Sequence, residues 1–165
     1  MVAPLFWYVL LGLPGLVAFK MVSTLDSMIG YRHGWYRYMG LFSARMDDCA
    51  CYVPSRLSAF VIALGSWRGF WLSLGAAWRD GHRHASLNAG WPEAAAGGAL
   101  GIALGGARVY GGVVVDDPWI GGEREATLRD GWEALRLYHR ASVVLVGMMV
   151  LWLLHFGLVD HAIMG

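Results

Sequence analysis

The sequence predicts a mainly α-helical integral membrane protein with two strong transmembrane helices, a third apolar helix and a polar cytoplasmic middle region. Hydrophobic residues make up 57% of the 165 residues and charged residues only 15%, against about 25% charged in a soluble domain. The chain also contains nine tryptophans and 23 glycines. Tryptophan favours membrane interfaces, and glycine is more frequent in membrane helices than in soluble ones.

Two apolar segments are long enough to cross a bilayer. Residues 2–19, VAPLFWYVLLGLPGLVAF, carry no charge, and their length reaches that of a transmembrane helix. Pro14 should kink this helix. A signal peptide is the competing interpretation, but a basic leading region is missing and Lys20 follows where a small-residue cleavage site is expected. Residues 141–159, ASVVLVGMMVLWLLHFGLV, form the second span.

Residues 57–78 form the third apolar segment, with Arg68 near its middle. A central arginine is costly in lipid, so we expect a helix that is buried in protein or lies along the interface, with a full crossing as the alternative. All 13 Lys and Arg residues lie between Lys20 and Arg140. If 57–78 does not cross, the positive-inside rule puts the polar middle on the cytoplasmic side of the inner membrane. If it crosses, the rule loses its force.

Three local patterns organise the region that follows the first span. Residues 23–26, STLD, have the form of a capping box. Residues 30–40 are rich in Gly and Tyr and indicate a loop. Residues 41–52, LFSARMDDCACY, are compatible with a helix that should end before Pro54, because the residue preceding a proline disfavours the helical conformation.

The segment NAGWPEAAAGG, residues 88–98, indicates a loop that leads into a glycine-rich helix. In this interpretation Trp91 is an interfacial anchor and Pro92 is the first helical residue. Glu93 then lies in the first turn, where the helix dipole favours a carboxylate. The G-x-x-x-G spacing that follows, over residues 97–105, permits close packing of helices.

Two further segments close the polar middle. Residues 109–122 resemble a short strand or extended segment that ends in a turn, and residues 127–138 indicate a helix leading into the last span.

Asp47 and Asp48 are the first candidates for chemistry, with Arg45 and Arg56 on either side. Adjacent residues on a helix point about 100° apart, so the two carboxylates do not form an automatic chelate. One of them can still bind Mg²⁺ through water, with a substrate phosphate completing the shell. The alternative is a solvated helix face on which Arg45 and Asp48 form an ion pair.

The Gly/Tyr-rich region and the turns before it contribute Asp26 and Arg32. Arginines can clamp phosphates or carboxylates in a bidentate manner, and the alternative is that they anchor the loop at anionic headgroups. Cys49 and Cys51 have a C-x-C spacing, which is typical of neither a redox pair nor a zinc site. A phosphate-binding G-x-x-x-x-G-K motif and a basic nucleic-acid-binding stripe are absent from the sequence, so no nucleic-acid partner is expected.

Four blocks together resemble one family. They are KMVSTLDSMIGYR (20–32), RYMGLFSARMDDCACYVPSRLSAF (37–60), RHASLNAGWPEAAAGGALGIALGG (83–106) and YGGVVVDDPWIG (110–121). In this order they are similar to the adenosylcobinamide-phosphate synthase family of cobalamin (vitamin B12) biosynthesis, also called the CobD/CbiB family.

The resemblance implies an integral membrane ligase of carbon–nitrogen bonds. Such enzymes join aminopropanol, or its O-phosphate, to a propionate side chain of adenosylcobyric acid, a corrinoid, and they require ATP and Mg²⁺. Carried onto the matching positions, the resemblance implies Mg²⁺ at Asp47 and Asp48, phosphate at Arg45 and Arg56, substrate orientation or proton transfer at Asn88 and Glu93, and further substrate or nucleotide contacts at Lys20, Asp26 and Arg32.

Family members are about twice as long as this chain. We therefore expect a fragment, a truncated gene product or one half of a split enzyme, partnered by a separate N-terminal half or by further copies of itself. The alternative function is a non-catalytic regulatory or assembly protein of the membrane derived from the same fold. The polar set Asp26, Asp47, Asp48, Asn88 and Glu93 is intact, which favours the enzyme.

Overall fold

The computed structural model describes residues 2–29, 37–110 and 113–164, and the side chains among them except those of 29, 37, 108–115 and 156–164. Within these ranges the helices are α1 (Val2–Ile29), α2 (Arg37–Ser66), α3 (Phe70–Asp80), α4 (Gly90–Leu100) and α5 (Leu128–Met164). A 3₁₀ turn, Trp67–Gly69, joins α2 to α3. The strands are β1 (Ala103–Leu104), β2 (Arg108–Tyr110), β3 (Val113–Val115) and β4 (Ile120–Gly121).

The strands pair in two antiparallel ribbons. β1 pairs with β4, with Ala103 opposite Gly121, and β2 pairs with β3, with Val109 opposite Val114. The predicted extended segment at 109–122 is thus confirmed for the residues that belong to β2, β3 and β4, while residues 111–112 lie outside the described part of the chain. The predicted helix at 127–138 is confirmed as the beginning of α5.

Three helical stretches in the described part of the chain are long and apolar enough to cross a membrane. They are Val2–Met28, Tyr38–Asp80 and Leu128–His155. Large apolar side chains on α1 and α5 are exposed, such as Leu11 (60%) and Leu151 (68%). Contiguous exposed apolar surface of this kind is typical of contact with lipid. The prediction of a helical membrane protein is therefore confirmed.

The third apolar segment, 57–78, is not the single helix that was predicted. Residues 57–66 complete α2, the 3₁₀ turn follows, and α3 begins at Phe70. Arg68 lies in this turn, between the two helices, and its side chain is exposed. The cost of a mid-span arginine is reduced by this break. The placement of 57–78 within the protein or along the interface stays a prediction, with a full crossing as its alternative.

The predicted helix end before Pro54 is wrong, because α2 runs through this proline. A proline has no N–H and leaves the carbonyl of the residue four positions earlier, Ala50, without its helical partner. The indole N–H of Trp7 on α1 donates to the Ala50 oxygen at 3.0 Å. The Pro54 ring is fully buried. Tertiary contacts thus satisfy the group that the proline frees, and the helix continues.

The kink predicted in the first helix is confirmed. It falls at Gly12 (φ 67°, ψ −154°), two residues before Pro14. Glycine adopts this positive φ without the steric penalty of a side chain. The capping box predicted at 23–26 is wrong, since these residues belong to the last turns of α1. The helix is continuous through Ser23, so the Ser23 hydroxyl has no free helix N-terminus to cap.

Small residues form the contact among α2, α3 and α4. Ala59, Ala77 and Ala95, one from each helix, form the buried centre. A Cβ added at Gly98 would lie 2.7 Å from the Leu72 carbonyl oxygen and would overlap the side chain of Ala76. The helix packing predicted from the G-x-x-x-G spacing over 97–105 is wrong, because α4 ends at Leu100 and leaves Gly101 and Gly105 outside the helix. Gly98, which is not part of that spacing, makes the close contact between α4 and the backbone of α3.

Asp80, the last residue of α3, connects α3 to β4 through hydrogen bonds. Its carboxylate is 2% exposed. It accepts bonds from Arg79 at 2.8 Å, Arg83 at 3.2 Å and the Gly121 N–H at 3.1 Å. Arg79 also donates to the Gly121 carbonyl at 2.7 Å. A buried carboxylate is stable only when its oxygens are satisfied in this way, and the sequence patterns did not single Asp80 out.

The Trp7 bond should contribute to stability. Trp7→Phe keeps an aromatic side chain but removes the indole donor to Ala50, so the unfolding free energy in detergent should fall by about 1 kcal/mol. The measurement is thermal unfolding followed by circular dichroism. Trp132→Phe is the matched control, because Trp132 is 69% exposed. Equal midpoints for the two variants would contradict the role of this bond.

Gly98 and Gly75 should respond differently to one methyl group. Gly98→Ala forces a Cβ against α3, so the unfolding free energy should fall by about 1–3 kcal/mol. Gly75→Ala adds the same group where nothing lies within 4 Å, and helix propensity should raise stability by up to about 1 kcal/mol. Unfolding in detergent measures both. A Gly98→Ala variant as stable as Gly75→Ala would overturn the packing argument.

Candidate functional site

Asn88, in the loop before α4, reaches across to α2. Its Nδ2 donates to the Asp48 backbone oxygen at 3.0 Å and to the Asp48 Oδ1 at 3.3 Å. The amide is half buried. Two predicted site residues that are 40 positions apart in sequence are therefore in direct contact.

Arg56 occupies the other side of the same amide. Its NH1 donates to the Asn88 Oδ1 at 3.3 Å and to the Tyr52 carbonyl oxygen at 2.7 Å. The guanidinium lies 3.5 Å from the ring centroid of Tyr52 and 4.5 Å from that of Trp91. Stacking between two rings stabilises a cation and restricts its motion. We call Asp48, Ser55, Arg56 and Asn88 the Asn88 cluster, because Ser55 Oγ also lies 3.3 Å from Asn88 Oδ1.

Trp91 makes contacts that the sequence did not predict. It is half buried and stacks edge to face on Trp78, with centroids 5.7 Å apart. It also packs against the buried alanines of α2, α3 and α4 and lies under the Arg56 guanidinium. In the structure Trp91 therefore helps to hold the arginine. Its interpretation as an interfacial anchor stays a prediction.

Asp47 faces away from the Asn88 cluster, as the 100° divergence predicted. Its Oδ2 accepts from the Cys51 thiol at 3.8 Å. Asp26 on α1 is close enough for its charge to act on Asp47. Asp47 Oδ1 is buried and has no hydrogen-bond partner among the described residues. A buried carboxylate oxygen beside a second carboxylate creates a local demand for a cation.

The carboxylates fit Mg²⁺ rather than a metal that needs a protein cage. Within the described ranges, no group of three or more His, Cys, Asp or Glu residues is arranged to hold a metal ion. Mg²⁺ is commonly bound by one or two carboxylates, with water and substrate phosphates in the remaining positions. The charges of Asp26 and Asp48 both act on Asp47, that of Asp26 more strongly.

Glu93 is in the first turn of α4, as predicted, and its partner is His84. The Glu93 Oε2 lies 3.5 Å from the His84 Nε2. His84 Nδ1 accepts from the Ser86 N–H at 2.9 Å, so the proton of a neutral ring is on Nε2, facing Glu93. Pro92 is the third residue of α4 and not the first, because the helix already begins at Gly90.

The remaining predicted residues do not join these contacts. Lys20 is exposed on α1, about 9 Å along the helix axis from Asp26 at 1.5 Å per residue. Arg45 is exposed one turn before Asp48, and in the described part of the chain the two form no ion pair. The alternative of an Arg45–Asp48 pair is therefore not supported. Arg32 lies outside the described residues.

Several contacting residues were not predicted as part of a site. Tyr52 is one turn from both Asp48 and Arg56, and Cys51 is one turn from Asp47, so helical spacing alone could have linked them. His84 could not have been linked to Glu93 in this way, because the connection depends on the turn around Ser86. Ser86 Oγ accepts from the N–H groups of Asn88 and Ala89, which shapes this turn.

Comparison with known proteins places these residues in a family. The family model described as CobD/Cbib protein matches residues 1–138. The cobalamin biosynthesis protein CbiB of Salmonella typhimurium is 46% identical over 153 residues, which cover 90% of this chain and 48% of the relative. The cobalamin biosynthesis protein CobD of Brucella suis is 44% identical over 156 residues, with the same coverage of each chain.

The chain spans about half the length of the curated relatives that it matches. No solved structure matches it significantly. The match over 138 of 165 residues includes α1 to α4 and every residue of the Asn88 cluster. This chain therefore belongs to the CobD/CbiB family of cobalamin biosynthesis proteins.

Proposed function

We propose that this chain carries part of the active site of an ATP-dependent amide ligase of cobalamin biosynthesis. The reaction joins aminopropanol, or its O-phosphate, to the propionate side chain of adenosylcobyric acid. The product is adenosylcobinamide or its phosphate. The relatives are cobalamin biosynthesis proteins, which supports the pathway. The observation that carries the assignment to residues is the contact of Asn88 with both Asp48 and Arg56.

The reaction needs activation of a poor electrophile. Transfer of the γ-phosphoryl group of ATP to the propionate gives an acyl phosphate and ADP. Attack by the amine then forms the C–N bond and releases inorganic phosphate, and the amine loses a proton. The protein has to offset phosphate charge, exclude water and accept that proton.

Arg56 is the residue whose side chain is best preorganised to bind the phosphate. Its guanidinium is fixed by two aromatic rings and by Asn88, so little side-chain entropy is lost when an anion binds. A planar guanidinium also offers paired donors that match phosphate oxygens. Asn88 positions the guanidinium and the Asp48 carboxylate together, and this is its proposed role. Lys20, Arg32 and Arg45 stay proposals as further contacts to nucleotide phosphates.

Mg²⁺ would be held at the carboxylates of the kinked α1 and of α2. Asp47 and Asp26 are the preferred pair, and Asp48, on the neighbouring face of α2, can reach the same phosphates through water. When bound, the ion offsets phosphate charge and orients the polyphosphate. The unpartnered Asp47 Oδ1 supports this assignment.

Glu93 is the proposed acceptor of the ammonium proton. Its side chain is 42% exposed, so a substrate amine can approach it. His84 faces it and can take part in passing the proton onward. In this assignment the two ends of the NAGWPE segment have different roles. Asn88 positions the groups that bind phosphate, and Glu93 accepts the proton of the amine.

The proposed site faces the cytoplasm of the inner membrane, where ATP is present. The rest of the active site would come from a polypeptide that corresponds to the other half of the relatives, or from a second copy of the chain. The apolar faces of α1 and α5, exposed in this structure, offer surface for lipid and for such a partner.

Turnover should depend on the carboxylates of Asp48 and Glu93. Membranes that contain this chain, supplied with a relative's N-terminal half, should convert adenosylcobyric acid and aminopropanol in the presence of ATP and Mg²⁺. Asp48→Asn and Glu93→Gln should each lower the rate at least about 100-fold, since each removes a charge that acts in the transition state. Product is quantified by liquid chromatography with mass spectrometry.

The control for both variants is Glu125→Gln, since Glu125 is exposed and lies outside the site. Membrane levels of all variants are compared by immunoblot. The absence of product from the unmodified chain with the N-terminal half supplied would sink the ligase proposal. An unchanged rate for one variant would remove that residue from the site.

Arg56→Lys should show that geometry matters beyond charge. Lysine keeps the charge but loses the flat surface between Tyr52 and Trp91 and the paired donors. We expect the kcat/KM for ATP to fall about 10- to 100-fold. Arg129→Lys is the control, because Arg129 is exposed on α5 and lies outside the site. Equal kinetics for the two variants would contradict the proposed phosphate role of Arg56.

A further inference from the structure

A cavity lies far along α2 from the Asn88 cluster. Its volume is about 710 Å³, and it opens between the 3₁₀ turn and α5. The residues that matter for its chemistry are Leu64, Trp67, Arg68, His139, Arg140 and Val143. One wall is therefore cationic, and the other is apolar.

The positive charge of this cavity is not compensated by the protein. Across the described residues, no carboxylate lies within salt-bridge distance of Arg68 or Arg140. Two other arginines near the start of α5 are paired, Arg136 with Glu133 at 3.0 Å and Arg124 with Asp130 at 2.7 Å. The contrast indicates that the cavity favours an anion from outside the chain.

The cavity lies where the apolar parts of two helices end together. A Cβ on Gly65 would lie 2.8 Å from the backbone nitrogen of Ala141, so α2 and α5 are in close contact at this level. On one side of the contact, α5 continues as the apolar segment 141–154. On the other side are Arg68 and Arg140. The boundary between lipid and water therefore falls at the cavity.

The local backbone also supports a binding role. Trp67 has φ 52°, and it is the described non-glycine residue with positive φ. This conformation is costly for a bulky residue. It leaves the indole 85% exposed beside Arg68, at the depth where tryptophans favour membrane interfaces.

We propose that this cavity binds the phosphate headgroup of an anionic phospholipid. Arg68 and Arg140 contact the phosphate, and the acyl chains follow the apolar wall formed by Leu64 and Val143. A free phosphate would use only the cationic wall, so the apolar wall is the reason for choosing lipid. The site is distinct from the Asn88 cluster and is independent of the proposed ligase activity.

The test is native mass spectrometry of the 165-residue chain in detergent, with phosphatidylglycerol or phosphatidylcholine added. The two lipids differ in headgroup charge. We expect the unmodified chain to retain one phosphatidylglycerol at about tenfold higher occupancy than phosphatidylcholine, because the cationic choline group opposes the charge of the two arginines. Equal retention of the two lipids would overturn the proposal without any variant.

Substitutions then locate the site. Arg68→Gln, Arg140→Gln and the double variant should lose the preference stepwise, the double variant about tenfold, whereas Arg129→Gln on the same helix should keep it. The double Arg→Lys variant retains the charge and should retain the lipid, which separates binding from a folding defect. Loss of the preference in Arg129→Gln to the same extent would overturn the location.

Soluble competitors distinguish the source of the phosphate. Glycerol phosphate or ATP at millimolar concentration should leave the bound phosphatidylglycerol in place, because neither can use the apolar wall. Displacement by either compound at concentrations comparable to the lipid would show a site for soluble anions and would overturn the assignment to a phospholipid.

Discussion

The close approach of α3 and α4 is the constraint on which the candidate site depends. Gly98 lets the two helices meet at backbone distance, and Asp80 fixes the end of α3 to β4. The loop between the helices is thereby held against α2. Asn88 in this loop contacts Asp48 and Arg56. A contact made by small residues therefore determines the position of the polar residues.

The polar residues of α2 lie on two faces that differ in charge. Asp48 and Arg56 share the Asn88 amide, so opposite charges are balanced through one neutral group. On the other face, Asp47 and Asp26 are two carboxylates that share no arginine in the described contacts. One helix thus separates a face suited to phosphate from a face suited to a cation, and a metal–nucleotide complex presents both requirements together.

The sequence predicted the helical membrane class, because length without charge is a strong signal, and it predicted the kink near Pro14. It did not predict that α2 passes through Pro54, since the remedy is a side chain on another helix, Trp7. Asp48, Arg56 and Asn88 were predicted as site residues, but their contact depends on a loop held by Gly98 and Ser86. Asp80 had no signal in the sequence, because a buried carboxylate is recognised only by its partners.

The hydrogen bond from Trp7 to the Ala50 carbonyl couples position 7 to position 54, which are far apart in sequence. Only a proline at 54 leaves the Ala50 carbonyl in need of a donor, and only a donor at position 7 makes that proline tolerable within the helix. Among homologous sequences the two positions are therefore expected to vary as a pair. A homologue without the proline would release its residue 7 to become an ordinary lipid-facing side chain.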